Sequence, residues 1–190
     1  MARPSVRPQI VESALEQFHT RGFHNCSVED VTKAAGVPKG SFYNHFESKE
    51  ALAIEVLRQY VQRSVWRAPD DLELAPLVRL RQRFEAQREI LAGNGYTRGC
   101  LLGNMGSELG DLSPAVRAEV EASLARRGAV ATDLLRAACA NGELAARHDP
   151  DVLGPFLVNA WEGVLTRTKV SKSGEAMAGF FAMFDQLLTA

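Results

Sequence analysis

Apolar residues recur every three or four positions through most of the chain, the spacing that gathers them on one side of an α-helix. Ile10, Val11, Ala14, Leu15 and Phe18 form the first such stripe, and Gly22 ends it. Ser27 is a natural cap for a short second helix with Val28, Val31 and Ala35 on one face, and Asp30 at its third position comes close to a capping box. Gly36 closes that helix. Pro38 then precedes a third short helix in which Phe42 and Phe46 stand four apart. Ser48 caps a fourth helix with Leu52, Val56, Leu57 and Tyr60 on its inner side. The stretch from Arg67 to Asp71, with Ala68, Pro69 and Asp70 between, breaks the pattern. It predicts a boundary between a first domain over residues 1–50, continued by a linking helix over 48–65, and a second domain over 66–190.

Longer elements follow the break. One helix is expected from Leu77 to Leu91, before the glycine-rich connection Gly93, Asn94 and Gly95. Ser113 and Pro114 together start a helix, serine as cap and proline in the first turn, that runs to Ala140 and ends at Asn141 and Gly142. Asp149 and Pro150 start another, with Leu153, Phe156, Leu157, Ala160, Trp161, Val164 and Leu165 apolar. The last carries Met177, Phe180, Phe181, Phe184, Leu187 and Leu188. No stretch alternates like a strand. The predicted fold is all-α, with about nine helices.

Composition narrows the possible chemistry. The chain has 190 residues, 46% hydrophobic and 24% charged, enough to bury a core without disulfides or metals. With 22 Lys and Arg against 23 Asp and Glu the net charge is −1, so overall basicity gives no argument for nucleic acid. Cys26, Cys100 and Cys139 are odd in number and far apart, with no Cys-x-x-Cys pair for a zinc ribbon or a redox motif. The four histidines, at positions 19, 24, 45 and 148, do not cluster as metal ligands. No apolar run reaches the 18 or so residues of a membrane span, and no signal-type segment follows Met1. A protein of the reducing cytoplasm is expected, with no metal, no cofactor and no membrane partner.

The second and third helices, joined by Ala35, Gly36, Val37 and Pro38, have helix-turn-helix spacing. Val28, Val31, Ala35, Val37, Phe42 and Phe46 suffice for a small core. Outward positions of the third helix then hold Lys39, Gly40, Ser41, Tyr43, Asn44 and His45, of which every non-glycine member can hydrogen-bond. Short polar side chains at a helix start suit base edges in a major groove, and longer ones suit phosphates. Gly40 would let the helix start approach a DNA backbone closely. Lys49, at the next helix start, would suit a phosphate. Arg3 and Arg7 are further cations that would face the duplex, with Glu12, Glu16, Glu29 and Asp30 turned away. Spacing alone also fits an ordinary three-helix packing unit whose third helix is merely solvated.

The segment from Ser27 to Leu52, with its Ala-Ala-Gly-Val turn at 34–37, Phe-Tyr-Asn-His-Phe at 42–46 and Ser-Lys-Glu at 48–50, resembles the N-terminal domain of the TetR family of transcriptional regulators over some 26 consecutive residues. The resemblance implies a homodimer that binds a palindromic double-stranded operator and is released by a small-molecule effector. On it, Lys39, Ser41, Tyr43, Asn44 and His45 fall on recognition-helix positions, Thr32 on the preceding helix and Lys49 on a phosphate-contact position, while Phe42 and Phe46 fall in the core. Residues 66–190 become the effector-binding and dimerisation domain. A dimer must set its recognition helices about 34–36 Å apart to reach successive grooves. The last two helices are the expected interface, with Trp161, Leu165, Phe180 and Phe184 in a four-helix arrangement from two subunits; burial of the same residues within one protomer is the alternative.

Gly99, Gly103, Gly106 and Gly110, spaced 4, 3 and 4, would line one side of a helix over this segment. Interior glycines cost a helix roughly 1 kcal/mol each relative to alanine, so such an element leans on its neighbours. It serves either tight packing or movement when an effector binds. Cys100 would stand at its first turn beside Arg98, where a helix start and a nearby cation favour the thiolate; a plain buried thiol is the other reading. Gly-Cys-Leu at 99–101, followed by Ser107, Glu108 and Asp-Leu-Ser at 111–113, resembles the branch of the family containing the repressor of N-ethylmaleimide reductase. That branch implies sensing of electrophiles or oxidants through Cys100, and Arg98 or Lys169 could stabilise its thiolate; Asn104 is a further effector-site candidate, although it departs, with Gly103 and Gly106, from that branch's pattern; related regulators bind small unsaturated acids. No catalytic motif competes: the chain lacks G-x-S-x-G, H-E-x-x-H and G-x-G-x-x-G, and is not expected to be an enzyme. A helical ligand-binding adaptor without DNA contact, or an enzyme of unknown type, remains the alternative class.

Overall fold

Helix starts follow the capping side chains. In the computed structural model, which describes residues 5–68, 71–145 and 147–188, Ser27 Oγ accepts from Asp30 N at 3.0 Å while the Asp30 carboxylate accepts from Ser27 N at 2.8 Å, a complete capping box for α2 (Val28–Ala34). Ser48 Oγ accepts from Ala51 N to open α4 (Lys49–Gln62), and Asp149 accepts from Asp151 N to open α8 (Pro150–Ser171). The remaining helices are α1 (Arg7–Arg21), α3 (Gly40–Tyr43), α5 (Pro76–Gly93), α6 (Leu101–Leu109), α7 (Pro114–Ala140) and α9 (Glu175–Leu188). A single 3-10 turn, Val65–Arg67, stands where the pattern broke. Among the described residues there are nine α-helices and no strand, so the all-α expectation holds. Of the residues named above, Met1, Arg3, Pro69 and Asp70 lie outside the described ones.

The chain separates into two compact units, residues 1–63 with 101–121, and residues 64–100 with 122–190. The division is not one cut near residue 66. α6 carries buried Leu101, Leu102, Met105 and Leu109 and packs on α1 and α4, so it joins the first unit together with the opening turns of α7. Gly99 and Gly110 flank α6 rather than sit inside it; Gly99 has φ +67°.

In the first unit, Ile10, Val11, Ala14 and Phe18 of α1 meet Val31, Phe42, Phe46, Leu52, Val56 and Leu57 as one apolar core. Gly36, at φ +67°, makes the turn between α2 and α3 in a conformation that side chains with a Cβ avoid. A second device holds the α1–α2 loop. The Glu108 carboxylate at the end of α6 accepts from Phe23 N at 3.2 Å and His24 N at 2.9 Å.

The second unit is built around Phe84 of α5. Its ring lies 5.2 Å from Trp66, 5.3 Å from Trp161, 4.9 Å from Phe180 and 6.0 Å from Phe184. One carboxamide ties the aromatic group together: Gln87 Oε1 accepts from Trp161 Nε1 at 2.8 Å and from Trp66 Nε1 at 3.3 Å. Trp161, Leu165, Phe180 and Phe184 therefore lie in the protomer's own core, not on an outward pairing face as expected. The reason is size, since the largest apolar side chains remove the most surface from water when turned inward. α7 and α8 cross closely. A Cβ at Gly154 would press on Thr132 Oγ1 and lie 2.7 Å from Thr132 N.

Candidate functional site

From Lys39 to His45 the chain makes one tight helical turn. Ser41 N donates to Pro38 O at 2.9 Å and His45 N to Phe42 O at 2.9 Å. With Phe42 and Phe46 buried four apart, the residues between them are forced outward. Tyr43 is 63% exposed, its ring edge-on to Phe42 at 5.2 Å. Lys39, Gly40 and Asn44 are exposed, and Ser41 and His45 half-buried. A Cβ at Gly40 would meet no protein atom within 4 Å, so the surface there is open to a close approach. Lys39 Nζ pairs with Glu29 at 3.1 Å, but both side chains are more than half exposed, and such a pair exchanges readily for another anion.

Two expected contact residues stand elsewhere. Thr32 is 1% exposed, and its hydroxyl donates to the carbonyls of Val28 and Glu29. Its position on the inner face of α2 removes it from any surface. Lys49 Nζ donates to Phe23 O at 3.0 Å and Cys26 O at 2.8 Å, and lies 4.0 Å from the centre of the Phe23 ring. Burial lowers its pKa. The ammonium thus secures the same loop that Glu108 holds, and it is not a free cation for a phosphate. Arg7 pairs with Glu55 at 2.5 Å and lies over the Phe46 ring.

The second candidate centre is buried. Cys100 is 4% exposed, immediately before the first residue of α6. Arg127 Nη1, from α7, donates to Cys100 Sγ at 3.5 Å and to Glu162 of α8 at 2.9 Å. Burial pushes the Glu162 carboxyl above its ordinary value, opposed by the Arg127 guanidinium and by hydrogen bonds to Cys100 and Arg127. A thiol, a guanidinium and a carboxylate therefore form one network of three chain segments. Sequence reasoning placed Arg98 or Lys169 at the sulfur; the cation in contact is Arg127. Arg98 and Lys169 are half-buried and engaged in polar interactions of their own, as is Asn104, which lies on α6 in the first unit. Arg127 and Glu162 escaped notice, although one signal pointed to the first. Ser123, Arg127, Ala131 and Leu134 share the buried stripe of α7, and a charge on such a stripe needs a partner. The other cysteines differ: buried Cys26 donates to Gln17 O at 3.4 Å and its thiol is pushed up by burial, while Cys139 is half-buried on α7.

Among the described residues no group of three or more His, Cys, Asp or Glu could hold a metal ion, and no helix is long and apolar enough to cross a membrane. Residues 10–56 match the family of bacterial regulatory proteins of the tetR family, and residues 76–184 match the tetracyclin repressor-like C-terminal domain. Over 192 residues the chain is 36% identical to the HTH-type transcriptional repressor DhaR of Mycobacterium sp. (strain GP1), covering 99% of this chain and 95% of that protein. It is 28% identical over 175 residues to the HTH-type transcriptional repressor NemR of Escherichia coli (strain K12), covering 88% and 86%. The crystal structure of regulatory protein TetR from Rhodobacter sphaeroides superposes with a TM-score of 0.89 at 34% identity, over 96% of this chain and 98% of that one. With a helix-turn-helix that turns its polar residues outward and matches over both halves, the chain belongs to the TetR family of DNA-binding transcriptional regulators.

Proposed function

We propose that this regulator is a cytoplasmic homodimeric repressor that binds a palindromic operator through residues 39–45 and is released when an effector binds near, or modifies, Cys100. The observation that carries the operator reading is the outward turn of Lys39, Ser41, Tyr43, Asn44 and His45, anchored from below by Phe42 and Phe46. Lys39 supplies phosphate charge, and the phenol, amide and imidazole supply donors and acceptors for base edges. At the start of α4, Lys49 contributes through its backbone N–H, since its side chain is engaged in the α1–α2 loop.

Pairing is supported by the outer faces of the last two helices. Val152, Phe156, Gly163 and Val170 follow one another along exposed positions of α8, and Ala178, Gly179, Ala182 and Met183 along those of α9. Small residues with large apolar ones between them allow close helix approach across a two-fold axis. The interface is therefore made of these outward side chains, with Trp161, Leu165, Phe180 and Phe184 supporting it from within.

Release is supported by the position of α6. It begins at the residue after Cys100 and carries Glu108 in its last turn, whose carboxylate grips the loop that leads into α2. A shift of α6 would loosen or drag that loop. A tenfold change in operator occupancy needs about 1.4 kcal/mol of preference for the released form.

Footprinting on DNA upstream of the protein's own gene tests the operator reading. The wild-type protein should protect a two-fold symmetric site. The double substitution Lys39→Ala with Tyr43→Ala should weaken binding at least about 100-fold and flatten its salt dependence. Unchanged affinity and salt slope would favour a helical adaptor that does not touch DNA.

A further inference from the structure

The recognition turn carries a single formal cation, and the protein itself already holds it. Among residues 39–45 only Lys39 is a lysine or arginine. Its Nζ donates to the Glu29 carboxylate at 3.1 Å, across the turn that joins α2 to α3. Residues 1–63 hold eight Lys and Arg against seven Asp and Glu, so no surplus of positive charge makes up for a cation that is tied up. Nearby, Arg7 is held by Glu55 and Lys49 by two main-chain carbonyls.

Glu29 has little to do in the fold beyond favouring the start of α2 with its charge. The cap itself is made by Ser27 and Asp30, and Asp30 also lies 3.8 Å from Arg21. The Glu29 side chain is 69% exposed, and among the described residues Lys39 is the one partner of its carboxylate. That tie keeps Glu29 beside the recognition turn rather than turned away from it. The carboxylate takes up the ammonium that a phosphate oxygen would otherwise engage.

We propose that Glu29 is an internal competitor of DNA phosphate, holding Lys39 in the free protein and giving it up when a duplex arrives. The inference rests on the operator reading of residues 39–45 and adds to it the residue that limits its strength. A carboxylate and a phosphate facing one ammonium repel each other, so the carboxylate is displaced into solvent as the phosphate arrives. Part of the attraction for phosphate is thereby spent on breaking the pair. The loss falls on every duplex whatever its sequence, and occupancy leans more heavily on the base-edge groups of Tyr43, Asn44 and His45. Salt acts on both halves of the exchange. It weakens the attraction of Lys39 for phosphate, and it also weakens the pair that holds Lys39 back, so Glu29 flattens the salt response.

The test is equilibrium binding of the full-length protein over a range of salt concentrations, to mixed-sequence duplex DNA and to DNA upstream of the protein's own gene. Wild type, Glu29→Gln, Lys39→Ala and the double variant are compared. Glu29→Gln should tighten binding to both duplexes about three- to fivefold at low salt, the size expected of an exposed pair. It should also steepen the plot of log affinity against log salt by up to about 0.9 for each protomer on the DNA. In the Lys39→Ala background the same substitution should change affinity by less than about twofold and leave the slope as it was. Glu29→Ser, which also lacks the carboxylate, should match Glu29→Gln and guards against a fault peculiar to one variant. Equal binding or an unaltered slope in Glu29→Gln would overturn the proposal, and so would weaker binding, which would make the carboxylate a positioner of Lys39. A gain as large without Lys39 as with it would overturn it too, because the carboxylate would then only repel the duplex at a distance. Lys39→Ala separates this proposal from the reading beneath it. Unchanged affinity and slope in that variant would sink both, whereas weakened binding there beside no gain in Glu29→Gln removes the competitor alone.

Discussion

Between Lys39 and His45 the polar groups stand toward solvent and are neighbours in the chain; around Cys100 they are largely sealed from solvent and come from positions 27 and 62 residues further on. The first arrangement costs the fold almost nothing, because exposed polar side chains keep their water. The second is demanding, because a buried charge must be matched by its partners or lose its ionisation. The contrast implies that the outward surface can be rewritten without unfolding the protein, while the inward cluster cannot lose a member cheaply. Substitutions of decreasing effect sharpen or break that distinction.

Arg127→Ala should have the largest effect, destabilising the protein by about 3–5 kcal/mol at neutral pH in urea titrations, since it leaves Glu162 buried beside a thiol without its cation. The penalty should shrink in acid. Because burial raises the folded-state pKa of Glu162, the folded protein holds that proton more tightly than the unfolded chain does. The associated stability is complete below the ordinary carboxylate pKa and is lost as pH rises through the raised value. Glu162→Gln should remove this component of the pH dependence. A harmless Arg127→Ala at neutral pH would show that the cluster is not closed in the way its exposure indicates.

Lys49→Ala comes next, at about 2 kcal/mol, because two main-chain carbonyls lose a charged donor. It sits within a few residues of the recognition turn yet behaves as an interior group, and a thermal melt unchanged by the substitution would return it to the surface class. Ser27→Ala should cost about 1 kcal/mol through the lost cap of α2, read from the same denaturation curves. Smallest of all, Glu29→Gln should alter stability by no more than about 0.5 kcal/mol, since its partner Lys39 is itself mostly exposed.

These differences also explain what could be read before any coordinates. The helices and their starts are local: Ser27 with Asp30, Ser48, and Asp149 with Pro150 act within one turn, and each heads the helix its sequence predicts. The recognition turn is local too, since Phe42 and Phe46 alone dictate which side faces out. Trp161, Leu165, Phe180 and Phe184 were harder, because a wide apolar stripe does not state which of its edges faces the protomer's interior; these four took the inside and left Val152, Phe156, Gly163 and Val170 of α8 and Ala178, Gly179, Ala182 and Met183 of α9 outside. Thr32 and Lys49 reversed their expected roles through contacts with main-chain oxygens, which leave no mark in side-chain patterning. The place of α6 in the first unit follows from packing on α1 and α4, whose residues lie tens of positions upstream.

Gln87 has a practical consequence. The chain contains two tryptophans, and both indole N–H groups end on that one carboxamide oxygen. Nearly all the protein's ultraviolet emission therefore originates from these two indoles inside the second unit. Any rearrangement that parts Trp66 from Trp161 would change the colour and brightness of that light, giving an unlabelled optical readout of the regulator's state.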